Sequence, residues 1–292
     1  MSKVLVTGGC GFLGSAFVAS ARAAGHDVLA LDADPHADLV CDIGDAGAVD
    51  AAIAAARPAA IVHLAARLTH ACNDDPVAAA QANAVGSAAV FFAAEDAGVE
   101  RVIQASSATA VGPCAPGSGD ATPLAPGSIY GATKAFGEHL ARAMATRPRA
   151  PSHLALRFGW IYGPGRVRGW REVQSLIERV IDGERDIRYP EFGEPIDWTF
   201  IDDAVQMLLR ALDRPLPPFA AVNAQGDRRT VGEAFAHLRR RFPDLVATPF
   251  AAETPPTGWG LVNDGVHALL GPLSCTRLED GLDRMIADAR CP

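Results

Sequence analysis

A chain of 292 residues, 49% of them hydrophobic, has enough apolar material for a buried sheet in one large α/β domain, with or without an added lobe. Its formal net charge of −8 argues against nucleic acid or an anionic membrane as partner. The cysteines at 10, 41, 72, 114, 275 and 291 show no CxxC or metal-ligand spacing, no apolar run looks long enough to span a bilayer, and the first strand begins at residue 3, so free thiols, no metal, no signal peptide and a reducing cytoplasm are expected.

The apolar run Lys3-Val4-Leu5-Val6-Thr7 reads as a strand and is followed at once by Gly8-Gly9-Cys10-Gly11-Phe12-Leu13-Gly14. The Ala-rich stretch from Ser15 to Ala24 is helical in character and stops at Gly25. A second apolar strand, Val28 to Leu31, ends in Asp32. Strand, glycine turn, helix, strand and acid make a dinucleotide-binding unit. Gly8 allows the tight turn, Gly11 lets the backbone approach a pyrophosphate, and Gly14 lets the helix pack on the strand. The phosphates then sit at the positive end of the helix. Asp32 stands where a carboxylate accepts from both ribose hydroxyls and repels a 2′-phosphate, which favours NAD over NADP.

Strand–helix alternation continues to about residue 158 and implies a doubly wound parallel sheet of Rossmann type. Arg101 to Ala105 supplies a fifth strand ending at Ser106-Ser107. Pro113 to Gly127, rich in Pro and Gly, reads as a loop over the site, and Ser128 as the cap of the next helix. That helix carries Tyr130-Gly131-Ala132-Thr133-Lys134. The chain has only two lysines, Lys3 and Lys134, against 24 arginines, and only three tyrosines. Arg replaces Lys almost everywhere else, yet a Lys stands four residues after a Tyr, one helical turn along the same face. A compact ammonium beside a phenol and a sugar hydroxyl is a role Arg fills poorly. The pair therefore reads as a tyrosine general acid/base with its lysine. His153 to Phe158 is a sixth strand. Residues 1–158, with 201–223 returning to them, should form the dinucleotide-binding domain, and 159–200 with 224–292 a smaller substrate-binding lobe. Pro215-Leu216-Pro217-Pro218 and Thr254-Pro255-Pro256-Thr257 read as loops.

Over essentially its whole length the chain resembles the extended short-chain dehydrogenases/reductases, the NAD-dependent epimerase/dehydratase family. The resemblance rests on Gly8-x-x-Gly11-x-x-Gly14, Asp42-Ile43, His63-Leu64-Ala65-Ala66, Asn83 within Gln81 to Gly86, Ser106 to Gly112, Leu156 to Gly165, and Trp198 to Asp203. It implies a catalytic set of Ser107, Tyr130 and Lys134, with Ser107 rather than Ser106 found by counting back from Gly112. It implies cofactor contacts from Gly8, Gly11, Phe12, Leu13, Gly14 and Asp32, from Asp42 and Ile43 at the adenine, and from Leu64, Ala65, Ala66, Asn83, Tyr130, Lys134 and Phe158. It also implies a homodimer through the Ala-rich helix 77–97 and the Tyr130 helix. His63 reads as a packed strand-end residue.

In the mechanism this implies, Ser107 holds the substrate oxygen and Tyr130 takes the hydroxyl proton as hydride passes to NAD. Lys134 holds the nicotinamide ribose. A free Tyr titrates near 10, so action near pH 7 requires a fall of roughly three units, worth about 4 kcal/mol. Lys134 and the nicotinamide cation are the expected sources.

Three departures bear on the substrate. Sugar-nucleotide members carry an Asn shortly after the sixth strand, where this chain has Phe158, Gly159 and Trp160. They often carry Arg-Asp where it has Ile196-Asp197, and dehydratases carry Asp-Glu where it has Ala108-Thr109. Ala108 and Thr109 are still candidates for the substrate side. Arg166 and Arg168, in Gly165-Arg166-Val167-Arg168-Gly169-Trp170-Arg171, are candidates to fork onto a carboxylate or phosphate. Trp160 and Trp198 are expected as pocket walls ahead of Trp259. The expected activity is an NAD-dependent oxidoreductase acting on a small sugar, sugar acid, polyol or related hydroxy compound. A sugar or nucleotide-sugar epimerase with retained NAD and a non-catalytic cofactor-binding regulator stay open as alternatives.

Overall fold

The computed structural model describes residues 3–169, 171–253 and 260–290; Trp170, Trp259, the 254–257 loop and Cys291 lie outside the described residues. The N-terminal half alternates strand and helix. It comprises β1 (Lys3–Thr7), α1 (Phe12–Ala23), β2 (Asp27–Asp32), β3 (Leu39–Val40), α2 (Ala46–Ala56), β4 (Ala60–His63), α3 (Thr69–Asp74) and α4 (Pro76–Ala79). A π-helical turn over Ala80–Val85 leads into α5 (Gly86–Asp96), then β5 (Arg101–Ser107), α6 (Ala108–Val111), α7 (Ile129–Met144) and β6 (Ser152–Phe158). The second half adds β7 (Ile161–Tyr162), α8 (Glu172–Ile181), β8 (Asp186–Glu191), β9 (Ile196–Phe200), α9 (Ile201–Asp213) and β10 (Phe219–Ala224). It ends with β11 (Asp227–Arg229), α10 (Val231–Arg241), β12 (Val246–Ala251), α11 (Asp264–Leu270) and α12 (Leu278–Asp288).

Seven strands form one parallel sheet in the order β10-β6-β5-β4-β1-β2-β3. Val4, Leu5, Val6, Ile61, Val62, Val102, Ile103, Leu154 and Leu156 are all fully buried. Strands covered by helices on both faces must be apolar on both faces, which is why these segments read as unbroken apolar runs. Each such side chain contributes about 1.5–3 kcal/mol by leaving water. The strand order reverses between β1 and β4, and a doubly wound sheet binds its ligand at the carboxyl ends of the strands at that switch point. The expected doubly wound α/β sheet is thus present.

By length and composition Pro76–Asp96 would pass as a membrane span, which corrects the expectation that no run is long enough. Val90, Phe91 and Ala94 on it are fully buried inside the fold, so the apolar character of this helix is that of a core helix. α9 lies over the other face, where Val205 and Leu208 join Phe17 and Val18 of α1 in one core cluster.

Two small sheets, β11-β9-β7 and β12-β8, sit beyond the main one. Between them and β6 lies an aromatic cluster in which the Trp160 and Trp198 rings are 4.7 Å apart and Tyr162 meets both Trp198 and Phe200 at 5.4 Å. Trp198 is fully buried and its Nε1 donates to the Arg229 carbonyl at 3.0 Å. It is a core residue, which corrects its expected place in a pocket wall. Trp160 is 5% exposed and belongs largely to the same cluster.

Candidate cofactor and catalytic site

The glycine loop closes on itself through contacts that admit no side chain. Gly8 has φ +72°, and a Cβ there would stand 2.6 Å from the Ala65 backbone nitrogen. A Cβ on Gly14 would stand 1.9 Å from the Gly8 carbonyl oxygen. Gly11 occupies the N-cap of α1 in extended conformation, and no side chain caps that helix. Its first-turn N–H groups, on Phe12, Leu13 and Gly14, therefore open onto the crevice with a positive dipole behind them. Asp32 ends β2 opposite this loop. One carboxylate oxygen accepts from the Cys10 N–H at 3.0 Å and the other from the Asp34 N–H at 3.2 Å, which leaves each oxygen a lone pair for a further donor. Leu64, Ala65 and Ala66 line the next strand end, with Leu64 N–H on the Thr7 carbonyl at 3.0 Å. Asp42 is exposed and accepts from the Gly44 N–H, while Ile43 is buried and its carbonyl lies against Gly86. This set fits a dinucleotide: glycine-bounded space and open donors for phosphates, and a carboxylate for a ribose.

An Asp32 carboxylate bonded to ribose hydroxyls is worth about 1.5–3 kcal/mol, so Asp32→Ala is expected to weaken NAD binding roughly 10- to 100-fold and to narrow the gap to NADP. Titration of both cofactors checks this. Equal or tighter NADP binding by the unmodified protein would contradict it.

The chemical end of the crevice is built by β5 and α7. Ser128 caps α7, its Oγ accepting from the Gly131 N–H at 3.1 Å. A Cβ on Gly131 would lie 2.3 Å from the Thr109 carbonyl oxygen, so the first turn of α7, with Tyr130, is pressed against the segment that follows Ser107. Ser107 ends β5 beside Phe158 of β6. Its Oγ accepts from the Thr109 N–H at 3.2 Å and from the Thr109 hydroxyl at 2.8 Å. Lys134 extends its Nζ to the Ala105 carbonyl at 2.7 Å and sits 5.5 Å from the centre of the Tyr130 ring. The first turns of α7, which carry Tyr130 and Lys134, are thereby held against the end of β5, which carries Ser107.

The adjacent Ser106 does different work. Its Oγ donates to Glu138 at 2.5 Å, and Glu138 in turn holds Arg157 through Nε and Nη2 at 2.8–3.1 Å. Both partners of this ion pair are buried. Removing one partner of such a pair costs about 3–5 kcal/mol, because the other charge is left stranded. Sequence reasoning missed it, although Glu138 stands one helical turn after Lys134 on the Tyr130 face.

Burial drives the electrostatics. It lowers Lys134 to about 8, and it raises Tyr130 above its ordinary value, against the influence of Arg166. The downward shift expected from Lys134 is thus not found: desolvation of the phenolate outweighs the one cation that lowers it, Arg166. His63 is held at about 3 by burial and by Lys134. It is a neutral bridge between Thr7 Oγ1 at 2.7 Å and Ser87 Oγ at 2.9 Å, as its reading as a packed residue requires.

Asn83, expected among the cofactor contacts, spends its amide on the protein. Its Oδ1 accepts from the Arg67 N–H at 2.7 Å, and its Nδ2 donates to the Arg67 carbonyl and to Thr133 Oγ1 at 3.0 and 3.1 Å. It clasps the Ala65–Leu68 loop to α7, and it does so from the π-helical turn, which no sequence signal announced.

Beyond β6 the chain turns at Gly159, where a Cβ would stand 1.9 Å from a carboxylate oxygen of Asp197. Phe158 and Trp160 flank this turn, both buried. Asp197 is fully buried and accepts from the Thr199 hydroxyl at 2.7 Å and the Gly226 N–H at 2.5 Å. Burial raises its carboxyl to about 7 despite these bonds and the charge of Arg228. An unfolded Asp titrates near 3.9. The protonated folded form therefore adds stability that is complete below about pH 4 and lost as pH rises through 7. Asp197 is expected to make stability fall across that window by up to about 1.4 kcal/mol per pH unit. Denaturant unfolding of Asp197→Asn should show a flatter pH dependence than the parent; the same slope in both would contradict it.

The segment after β7 folds back over the crevice. Arg166 stacks its guanidinium 5.6 Å from the centre of the Phe12 ring, whereas Arg168 is exposed. Of the two arginines expected at the substrate, Arg166 lies against the start of α1 and Arg168 faces solvent.

A family model described as the NAD dependent epimerase/dehydratase family matches residues 4–223. A 3-diazoavenalumate denitrifying reductase from a Streptomyces species is 35% identical over 225 residues, covering 72% of each chain. A UDP-glucose 4-epimerase from Mycolicibacterium smegmatis is 32% identical over 231 residues, again covering 72% of each. Among solved structures, MoeE5 in complex with UDP-glucuronic acid and NAD superposes with a TM-score of 0.86 at 26% identity, covering 99% of both chains.

Proposed function

The chain belongs to the NAD-dependent epimerase/dehydratase family, and from that membership we propose that it is a net oxidoreductase, transferring hydride between exchangeable NAD and a hydroxyl or ketone of a small sugar, sugar acid or related hydroxy compound. The observation that supports the reading is the packing of Gly131 of α7 against Thr109, two residues beyond Ser107, with the Lys134 Nζ 5.5 Å from the centre of the Tyr130 ring. NAD, when bound, supplies the hydride acceptor or donor. Ser107 would hold the reacting oxygen with its own O–H, since Thr109 already fills its acceptor sites. Tyr130 would move the proton at that oxygen, and Lys134 would supply the positive charge that makes the phenol a usable acid/base.

Two features favour net redox chemistry over internal recycling. At the turn after β6 the polar anchor expected of sugar-nucleotide enzymes is replaced by Gly159, sealed against Asp197, and by Trp160, packed among aromatic rings. The Streptomyces relative, 35% identical, is described as a reductase. The epimerase reading keeps support from the Mycolicibacterium relative. Screening sugars, sugar acids and hydroxy acids for sustained NADH formation tests the choice. NAD that copurifies tightly, with turnover of a UDP-sugar and no net NADH, would establish the epimerase instead.

We read residues 1–158 and 201–223 as the cofactor half and 159–200 with 224–292 as the substrate half. The place of β10 in the main sheet supports this division. Assembly is read as homodimeric and location as cytoplasmic. Val77, Val85 and Phe92 on the Pro76–Asp96 helix, and Ile129 and Phe136 on α7, remain exposed, and a twofold mate would cover them. Light scattering is expected at twice 30.5 kDa, and a monomer at micromolar concentration would count against the pairing.

A further inference from the structure

Arg166 is a cation with no acid assigned to it. Its Nη1 donates to the Ile161 carbonyl, Nη2 lies where Gly169 passes close by, and Nε is buried without a hydrogen-bond partner. Among the described residues no carboxylate forms an ion pair with it. The acid whose charge it feels, Glu178, is already engaged by Arg171 and by Gln174 at 2.8 Å. Burial lowers the guanidinium to about 10, which leaves it charged at neutral pH. A partly buried guanidinium whose Nε lacks an acceptor favours an anion close by. The surroundings define where that anion sits. Phe12 of the glycine loop is under the guanidinium, Leu68 borders Gly169, and Arg166 and Tyr130 influence each other's ionisation. The guanidinium thus lies over the start of α1, and its charge and that of Tyr130 influence each other, while Asp32 stands at the end of β2.

We propose that Arg166 is the specificity-determining residue for the substrate, binding a carboxylate that lies a few bonds from the reacting hydroxyl or ketone, so that the enzyme takes organic acids. This rests on the net redox reading and deepens it by naming the substrate class. A guanidinium fork offers two parallel N–H donors matched to a carboxylate, and Nε is one of the two that such a fork uses. The NAD pyrophosphate is the competing source of negative charge, and binding measurements separate the two.

The test uses the full chain saturated with NADH, so that hydroxy acids bind without reacting. The probes are 3-hydroxybutanoate and 4-hydroxycinnamate, each against its methyl ester, followed by calorimetry. The acids are expected to bind about tenfold or more tightly than the esters. Arg166→Gln should remove that preference at unchanged NADH affinity and melting temperature, and Arg166→Lys, which keeps the charge without the fork, should restore part of it. Equal binding of acid and ester, no binding of either, or an acid preference that survives in Arg166→Gln would overturn the inference. So would a loss of NADH affinity in Arg166→Gln as large as the loss for the acids, which would assign the residue to the cofactor phosphates. The two readings fail separately: acid preference without any NADH turnover would sink the redox assignment alone, and turnover of neutral alcohols without acid preference would sink this one alone.

Discussion

Tyr130→Phe is expected to lower turnover by about 10²- to 10⁴-fold while leaving fold and NAD affinity in place. The substitution removes one oxygen. The ring keeps its position at the start of α7, where the helix is fixed by the Ser128 cap and by the contact of Gly131 with Thr109. Lys134 keeps its bond to the Ala105 carbonyl, so the ribose contact proposed for it is not disturbed. Steady-state rates, an NAD titration and a melting curve on the same preparation separate these effects. Wild-type turnover in the variant would place the acid/base elsewhere.

The second large effect is expected from Lys134→Arg, because burial opposes ionisation of Tyr130. Burial holds the phenol above its ordinary value. Catalysis near neutrality then requires the ammonium and the nicotinamide charge to overcome that burial together. Arg keeps the charge, but its wide planar head does not fit between the Ala105 carbonyl and the Tyr130 ring, where Nζ now sits. The sign follows: with the cation displaced, phenolate is less favoured, the pH optimum of oxidation moves up, and the rate at pH 7 falls roughly tenfold for each unit of that shift. NAD affinity should fall as well. A pH–rate profile of the variant that overlays the parent would show that position 134 carries only charge.

What the sequence alone revealed follows the range of the interactions. Gly8, Gly11, Gly14 and Asp32 were readable because one short strand–turn–helix–strand unit needs all of them. Tyr130 and Lys134 were readable because helical spacing alone puts them on one face. The interactions that close the site join distant segments and left no local trace. The lack of a side chain at Gly159 is required by Asp197, and Arg166 meets Phe12. Trp198 was misplaced for a related reason: an aromatic residue within a strand reads equally as pocket wall or core, and what decides it is the Arg229 carbonyl that receives its Nε1–H. Asn83 was located but the partners of its amide were not, since only the π-helical turn aims it at Arg67 and Thr133. The ionisation of Tyr130 was read from its cationic neighbours, whereas burial, which no sequence pattern reports, controls it.

The central claim is net hydride transfer by exchangeable cofactor at Tyr130, and deuterium tracing tests it most directly. NADH carrying deuterium at the transferable position is supplied in excess with a ketone substrate found in the screen. The account predicts one deuterium in each molecule of product, one NAD released per product, and almost none of either with Tyr130→Phe. Conversion of a UDP-sugar to its epimer with no deuterium taken from the added NADH would contradict it.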